Sequence, residues 1–227
     1  MNPPWSQFDL SLLSYQQFLE FFFDRPIVGD ENEYDLFRSG IDSFVASNPT
    51  AVVAHIQAMC RNFAELTNVY SHEQLDQGLW AIFGVGISCE RYLFDSTVES
   101  TLRMDCIESM YLPFKDVAAC CSTDISQSFY WMWWDMILHT FWQAANTEDY
   151  STLNDDQKQM ADAMYQTLSR ILALDHRGCQ WCSLHGLGHL HHPSVQQTVQ
   201  NYLNVYRSQL SDEDVQWIEA CRDGSNL

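Results

Sequence analysis

A chain of 227 residues with 30 acidic and 11 basic side chains carries a formal charge of −19. That sign argues against nucleic-acid binding, which needs clustered lysine and arginine on the phosphates, and against an anionic membrane surface. A hydrophobic fraction of 46% and an aromatic fraction of 14% exclude disorder by composition and supply a large core.

The N-terminus, MNPPWSQFDLSLLSYQQF, has neither a basic segment nor a continuous apolar core, so no secretory signal is expected. No apolar run reaches the roughly 20 residues of a membrane span. The expected address is cytoplasmic, with the eight cysteines as reduced, packed thiols.

In chain order, helical spacing dominates. The first predicted helix covers Ser11 to Phe23, with Leu12, Tyr15, Leu19 and Phe22 inward, and Arg25-Pro26 ends it. A polar loop over Gly29 to Glu33 leads to a second helix, about Asn32 to Ala46, burying Phe37, Ile41, Phe44 and Val45. Asn48-Pro49-Thr50 breaks the chain and starts a third helix, Ala51 to Asn68, with Val52, Ile56, Met59, Cys60, Phe63 and Leu66 buried. Ser71 with Gln74 reads as a capping box for a helix from His72 to Gly84 that carries Leu75, Trp80, Ile82 and Phe83.

Ser96 to Met110 is helical by its Val98, Leu102, Cys106 and Ile107, and Pro113 interrupts it before a short helix to Cys121. Asp124 or Ser126 caps a long aromatic helix ending at Ala145. It contains FYWMWWDMILHTFW and is apolar nearly all round. A polar loop from Thr147 precedes a helix from Asn154 or Asp155 to Leu174, with Met160, Met164, Leu168, Ile171 and Leu172 inward. Asp175 to Leu203 forms a helical hairpin turning near Pro193, and Ser211 starts a last helix through Val215, Ile218 and Cys221. The tail, 224–227, is expected to fray. Together these make a single all-α domain over 1–227, of about ten helices, with no internal boundary.

The segment SLHGLGHLHHPSVQQTVQNYL, within Asp175 to Leu203, resembles a HEAT or armadillo-type repeat. A helix of small residues and leucines precedes a turn and a second amphipathic helix. The resemblance implies stacked hairpins in a right-handed α-superhelix whose curved surface binds another macromolecule. It brings no catalytic residues.

Three constellations bear on chemistry. The first is Cys179, Cys182, His185 and His189 on one helix, within an arc of about 120°. Cysteine and histidine are zinc ligands. Four of them along one helix span about 15 Å, so at most two or three share an ion, with Cys182, His185 and His189 the best set. Packing is the expected role, and no metal or cofactor is expected. A redox CxxC is disfavoured because no βαβ pattern surrounds it.

The second constellation is Trp131, Trp133, Trp134, Asp135 and His139. Asp135 and His139 stand four apart on one side of the helix, where they could form an acid–base dyad; the expected role is an ion pair locking the helix in place or a core histidine whose hydrogen bonds are satisfied. The third is the acidic excess, in patches at Asp30, Glu31, Glu33 and Asp35, at Glu148 and Asp149 with Asp155 and Asp156, and at Asp212 to Asp214. No phosphate loop, HExxH or nucleophile elbow occurs.

The sequence therefore points to a non-catalytic acidic scaffold binding a protein with a basic surface. Its specific form is an inhibitor or immunity-type protein that neutralises a basic toxin or nuclease. The expected contact residues are Trp131, Trp134, Asp135, His139, His185, His189 and His192. The alternative is a metal-assisted enzyme, or a small-ligand binder, built on the Cys/His and Trp-rich helices.

Overall fold

The computed structural model describes residues 6–28, 37–38, 40–84, 86–121, 125 and 128–225. Its contacts divide the chain into two compact units, Met1–Cys106 and Ile107–Leu227. Both are mostly helical, with eleven α-helices and two short strands among the described residues.

The first unit opens with β1 (Gln7–Asp9), which pairs in parallel with β2 (Ser43–Val45), Phe8 opposite Phe44. Residues 43–45 were expected to be helical. Here Phe8 stacks on Phe21, centroids 5.0 Å apart, and Phe8 and Phe21 both meet Phe44 edge-on, so strand pairing buries Phe44 under two half-buried rings. The Asp9 carboxylate accepts the Ser11 and Ser47 N–H groups, at 2.9 and 3.3 Å. Those hydrogen bonds, with the Ser11 and Ser47 hydroxyls leading, hold its pKa down to about 2. They also turn Leu10–Leu12 into a 3-10 segment, which leaves Leu12 78% exposed instead of buried. The acidic patch at Asp30 to Asp35 and residues 32–36 and 39 of the helix expected from Asn32 lie outside the described residues, while residues 40–46 are turn, bend and strand instead of helix.

Helix α1 (Tyr15–Phe23) begins at Ser14, whose capping box with Gln17 satisfies two orphan N–H groups. It buries Phe18, Leu19, Phe22 and Phe23. The stretch expected as one helix over Ala51 to Asn68 is two, α2 (Pro49–Arg61) and α3 (Phe63–Leu66), parted at Asn62, whose side chain donates back to the Ala58 carbonyl at 2.8 Å. All six residues assigned to its core are buried. Helix α4 (His72–Phe83) carries the Ser71–Gln74 capping box. Its Gly78 lies against the Phe23 ring and the Phe22 carbonyl, which seats α1 on α4. Helix α5 (Ser100–Ser109) runs past the end of this unit at Cys106.

In the second unit, α6 (Tyr111–Asp116) holds Pro113 in its first turn. Pro113 therefore helps to start a helix, because its missing N–H would have no partner there. Helix α7 (Phe129–Ala145) follows Ser128 and stops at Asn146 in the left-handed region, φ 56°. The caps expected at Asp124 or Ser126 lie outside the described residues. Helix α8 (Asp155–Leu172) has an Asn154–Gln157 capping box with Asp155 and Asp156 in its first turn. Then come α9 (Arg177–Leu190), α10 (Val195–Tyr206) and α11 (Asp212–Asp223). The turn between α9 and α10 contains Pro193, as expected.

Helix α9 is the centre of this unit and packs on α7, α8, α10 and α11. Close approach is possible because Gly186 faces two neighbours. A Cβ there would lie 2.7 Å from Trp134 Cβ and 2.9 Å from Leu168 Cδ2. Ser183 pins the same face by donating its hydroxyl to the Leu168 carbonyl at 2.7 Å. Gly186→Ala is expected to lose about 1–3 kcal/mol of stability from overpacking. Helix propensity alone predicts a gain of roughly 0.5–1 kcal/mol. The shift in a urea unfolding midpoint, downward or upward, decides between them.

Candidate functional site

The face shared by α7 and α9 brings together five of the seven expected contact residues. Trp131 stacks on His185 with centroids 4.7 Å apart and planes at 16°. The Trp131 carbonyl accepts a hydrogen bond from His185 Nδ1 at 3.2 Å. With its proton on Nδ1, a neutral His185 presents Nε2 as an acceptor, and His189 Nε2 lies 3.1 Å from it. His189 Nε2 also stands 3.5 Å from Asp135 Oδ1. The order along this chain is Asp135, His189, His185, Trp131 carbonyl.

Burial pushes the His189 pKa down to about 4. Asp135 opposes the shift, while His185 and His191 add to it. At neutral pH His189 is therefore an uncharged donor. The Trp142 indole N–H donates to the His189 carbonyl at 2.9 Å and fixes the end of α9 against α7.

His139 does not pair with Asp135. Its Nε2 accepts from Gln143 Nε2, one turn on, at 2.8 Å, and it is exposed. The i, i+4 spacing puts Asp135 and His139 on one side of α7, but the nearer partner of Asp135 comes from α9.

Two expected contact residues are covered. Trp134 is 1% exposed and lies under Gly186. His192 is buried, stacked on Tyr165 with centroids 4.4 Å apart. Its Nδ1 accepts the Ser194 N–H at 3.1 Å, which places the proton on Nε2 to be donated to Asp162 at 3.0 Å. It locks the α9–α10 turn to α8.

Cys179 and Cys182 are buried. The Cys179 thiol donates to the Phe114 carbonyl at 3.9 Å, and burial pushes its pKa up to about 12, far from thiolate reactivity. Among the described residues no three His, Cys, Asp or Glu side chains are placed to hold a metal ion, so Cys182, His185 and His189 do not form a ligand set as they stand.

Beside the His189–Asp135 contact opens a cleft of about 560 Å³, within the size range of ligand sites. Asp135, His139 and Trp142 line it from α7, Glu148 from the turn beyond, and His189 and His191 from the end of α9. Its described lining contains no lysine or arginine. Trp142, Glu148 and His191 were missing from the sequence-derived set. Asn146, a residue tolerant of the left-handed region directly after the aromatic helix, is the signal that the chain turns back here.

No family model, curated protein or solved structure matches this chain. Among the described residues no helix is long and apolar enough to cross a membrane.

Proposed function

We propose that this chain is a non-catalytic acidic helical protein of the cytoplasm that binds a protein partner through the face between α7 and α9. The partner has a basic surface, and the inhibitor or immunity-type role against a basic toxin or nuclease is the specific form of this reading. The observation that carries it is the sign of that face. In a chain of charge −19, the cleft is lined by Asp135 and Glu148 with no lysine or arginine among its described lining. Negative potential concentrated in a concave, partly apolar site steers cationic partners and speeds their capture.

The stacking of α7 to α11 is read as HEAT-like, on the strength of the α9–α10 hairpin and of α11 packing on both of its helices.

Capture by the tagged full chain from its source cells at low ionic strength, with mass spectrometry of the bound fraction, tests the reading. One stoichiometric basic protein is expected, released by salt and poorly held by Asp135→Asn. A captured protein that is acidic, or is indifferent to salt, overturns it.

A further inference from the structure

The overall charge indicates what kind of partner is attracted, and the cleft indicates what is gripped. We propose that the cleft between α7 and α9 is a recognition site for one guanidinium or ammonium group, with the Asp135 carboxylate as counter-ion and the Trp142 and His191 rings as the aromatic wall. This rests on the reading of the chain as a binder of basic partners.

Asp135 is 23% exposed, and the basic group recorded beside it among the described residues is His189. His189 cannot serve as its cation at neutral pH, because burial keeps that imidazole uncharged. The described lining gives Asp135 no lysine or arginine partner, so a cation entering the cleft supplies the counter-ion that this partly buried carboxylate lacks. Glu148 supplies a second carboxylate to the same lining.

Trp142 and the neighbouring His189 are already held in place. The His189 ring is tied to His185, His185 to the Trp131 carbonyl, and the Trp142 N–H to the His189 carbonyl. Little ordering therefore remains to be done on binding. The Trp142 and His191 rings lie 5.7 Å apart at 56°, and aromatic surface beside a carboxylate favours an organic cation.

A metal ion fits less well. No three ligands converge among the described residues, the two imidazole Nε2 atoms are engaged with each other, and the cleft is many times the volume of an ion. The cation can come from two sources, a basic side chain of the protein partner or a free small amine.

The test is calorimetric titration of the full chain at low salt with N-acetylarginine methylamide, with agmatine, and with the citrulline amide as the neutral isostere. The cations are expected to bind with a dissociation constant of about 1 mM or below, and the isostere at least about tenfold more weakly. Asp135→Asn is expected to weaken the cations by about tenfold or more, and Glu148→Gln, at an exposed position, by a smaller factor. Thermal melts establish that both variants are folded.

Capped arginine binding as well as agmatine assigns the site to a partner's side chain. A large preference for agmatine assigns it to a free amine. Both support a cation site. Equal binding of the isostere, or cation affinity unchanged in both variants, overturns it. If cations fail while a basic protein is still captured in a salt-sensitive way, only this inference falls. If capture fails as well, the binding reading falls with it.

Discussion

Trp134→Ala is expected to destabilise the second unit by about 3–5 kcal/mol, the usual cost of deleting a fully buried large aromatic. The ring is 1% exposed and its Cβ lies under Gly186, so the indole fills the seam where α9 crosses α7. Truncation leaves a cavity that rigid neighbours cannot collapse. Its Nε1 is buried without a hydrogen-bond partner among the described residues, so Trp134→Phe gives up packing volume but no hydrogen bond and should cost clearly less than the alanine variant. Equilibrium urea unfolding of both variants checks this. A marginal effect of Trp134→Ala on stability together with loss of partner capture would return Trp134 to the contact surface.

Stability is expected to fall as pH drops from about 6.5 towards 4, by on the order of 3 kcal/mol from His189 alone. The folded pKa of this group is depressed, from 6.5 to about 4, and its side chain is only 18% exposed. Between those values the unfolded chain binds a proton that the folded chain refuses, so the unfolding free energy decreases as protons are added. Above about pH 6.5 both states are neutral and the stabilisation is complete. The groups facing His189 are Asp135, which favours the charged form, and His185 and His191, which oppose it. Urea midpoints at pH 7 and pH 4.5 for the wild type and for His189→Gln isolate this contribution, since carboxylates elsewhere titrate in both. The variant should lose less stability over that interval. An equal loss in both would show that His189 titrates normally.

Helix starts were the most legible part of the fold. Ser71-x-x-Gln74 is legible as a capping box and occurs as one; the start expected at Asn154 or Asp155 also holds, with Asn154 as the cap and Gln157 completing a box not expected from the sequence. Such signals are local, so one sequence contains all of their physics. The strands were not legible. Three residues of Ser43–Val45 fit a helical pattern as well as a strand, and their partner, Gln7–Asp9, is distant in the chain. Leu12 keeps helical spacing, but the Asp9 side chain turns the chain first.

At the site, the spacing correctly placed Asp135 and His139 on one side of α7, and His185 and His189 on one side of α9. Which of these meet depends on the docking of α9 on α7, where Gly186 lies against Trp134, while Ser183 ties α9 to α8 through the Leu168 carbonyl. The long aromatic helix is apolar nearly all round, so its composition could not tell Trp131, which is partly exposed, from Trp134, which is not. His192 looked like a continuation of the histidine row. The turn after α9, where His191 takes a φ of 50°, swings it onto Tyr165 and Asp162 instead.

The central claim is that a basic partner is held through the Asp135 side of the α7–α9 face. The most direct measurement is the association and dissociation of the full chain with its captured partner at about 0.05 and 0.5 M salt, where screening differs several-fold, for the wild type and for Asp135→Asn. The association rate should fall steeply with salt in both proteins, and Asp135→Asn should dissociate faster than the wild type at either salt. Rates that ignore salt, together with an Asp135→Asn complex as long-lived as the wild type, would contradict the account.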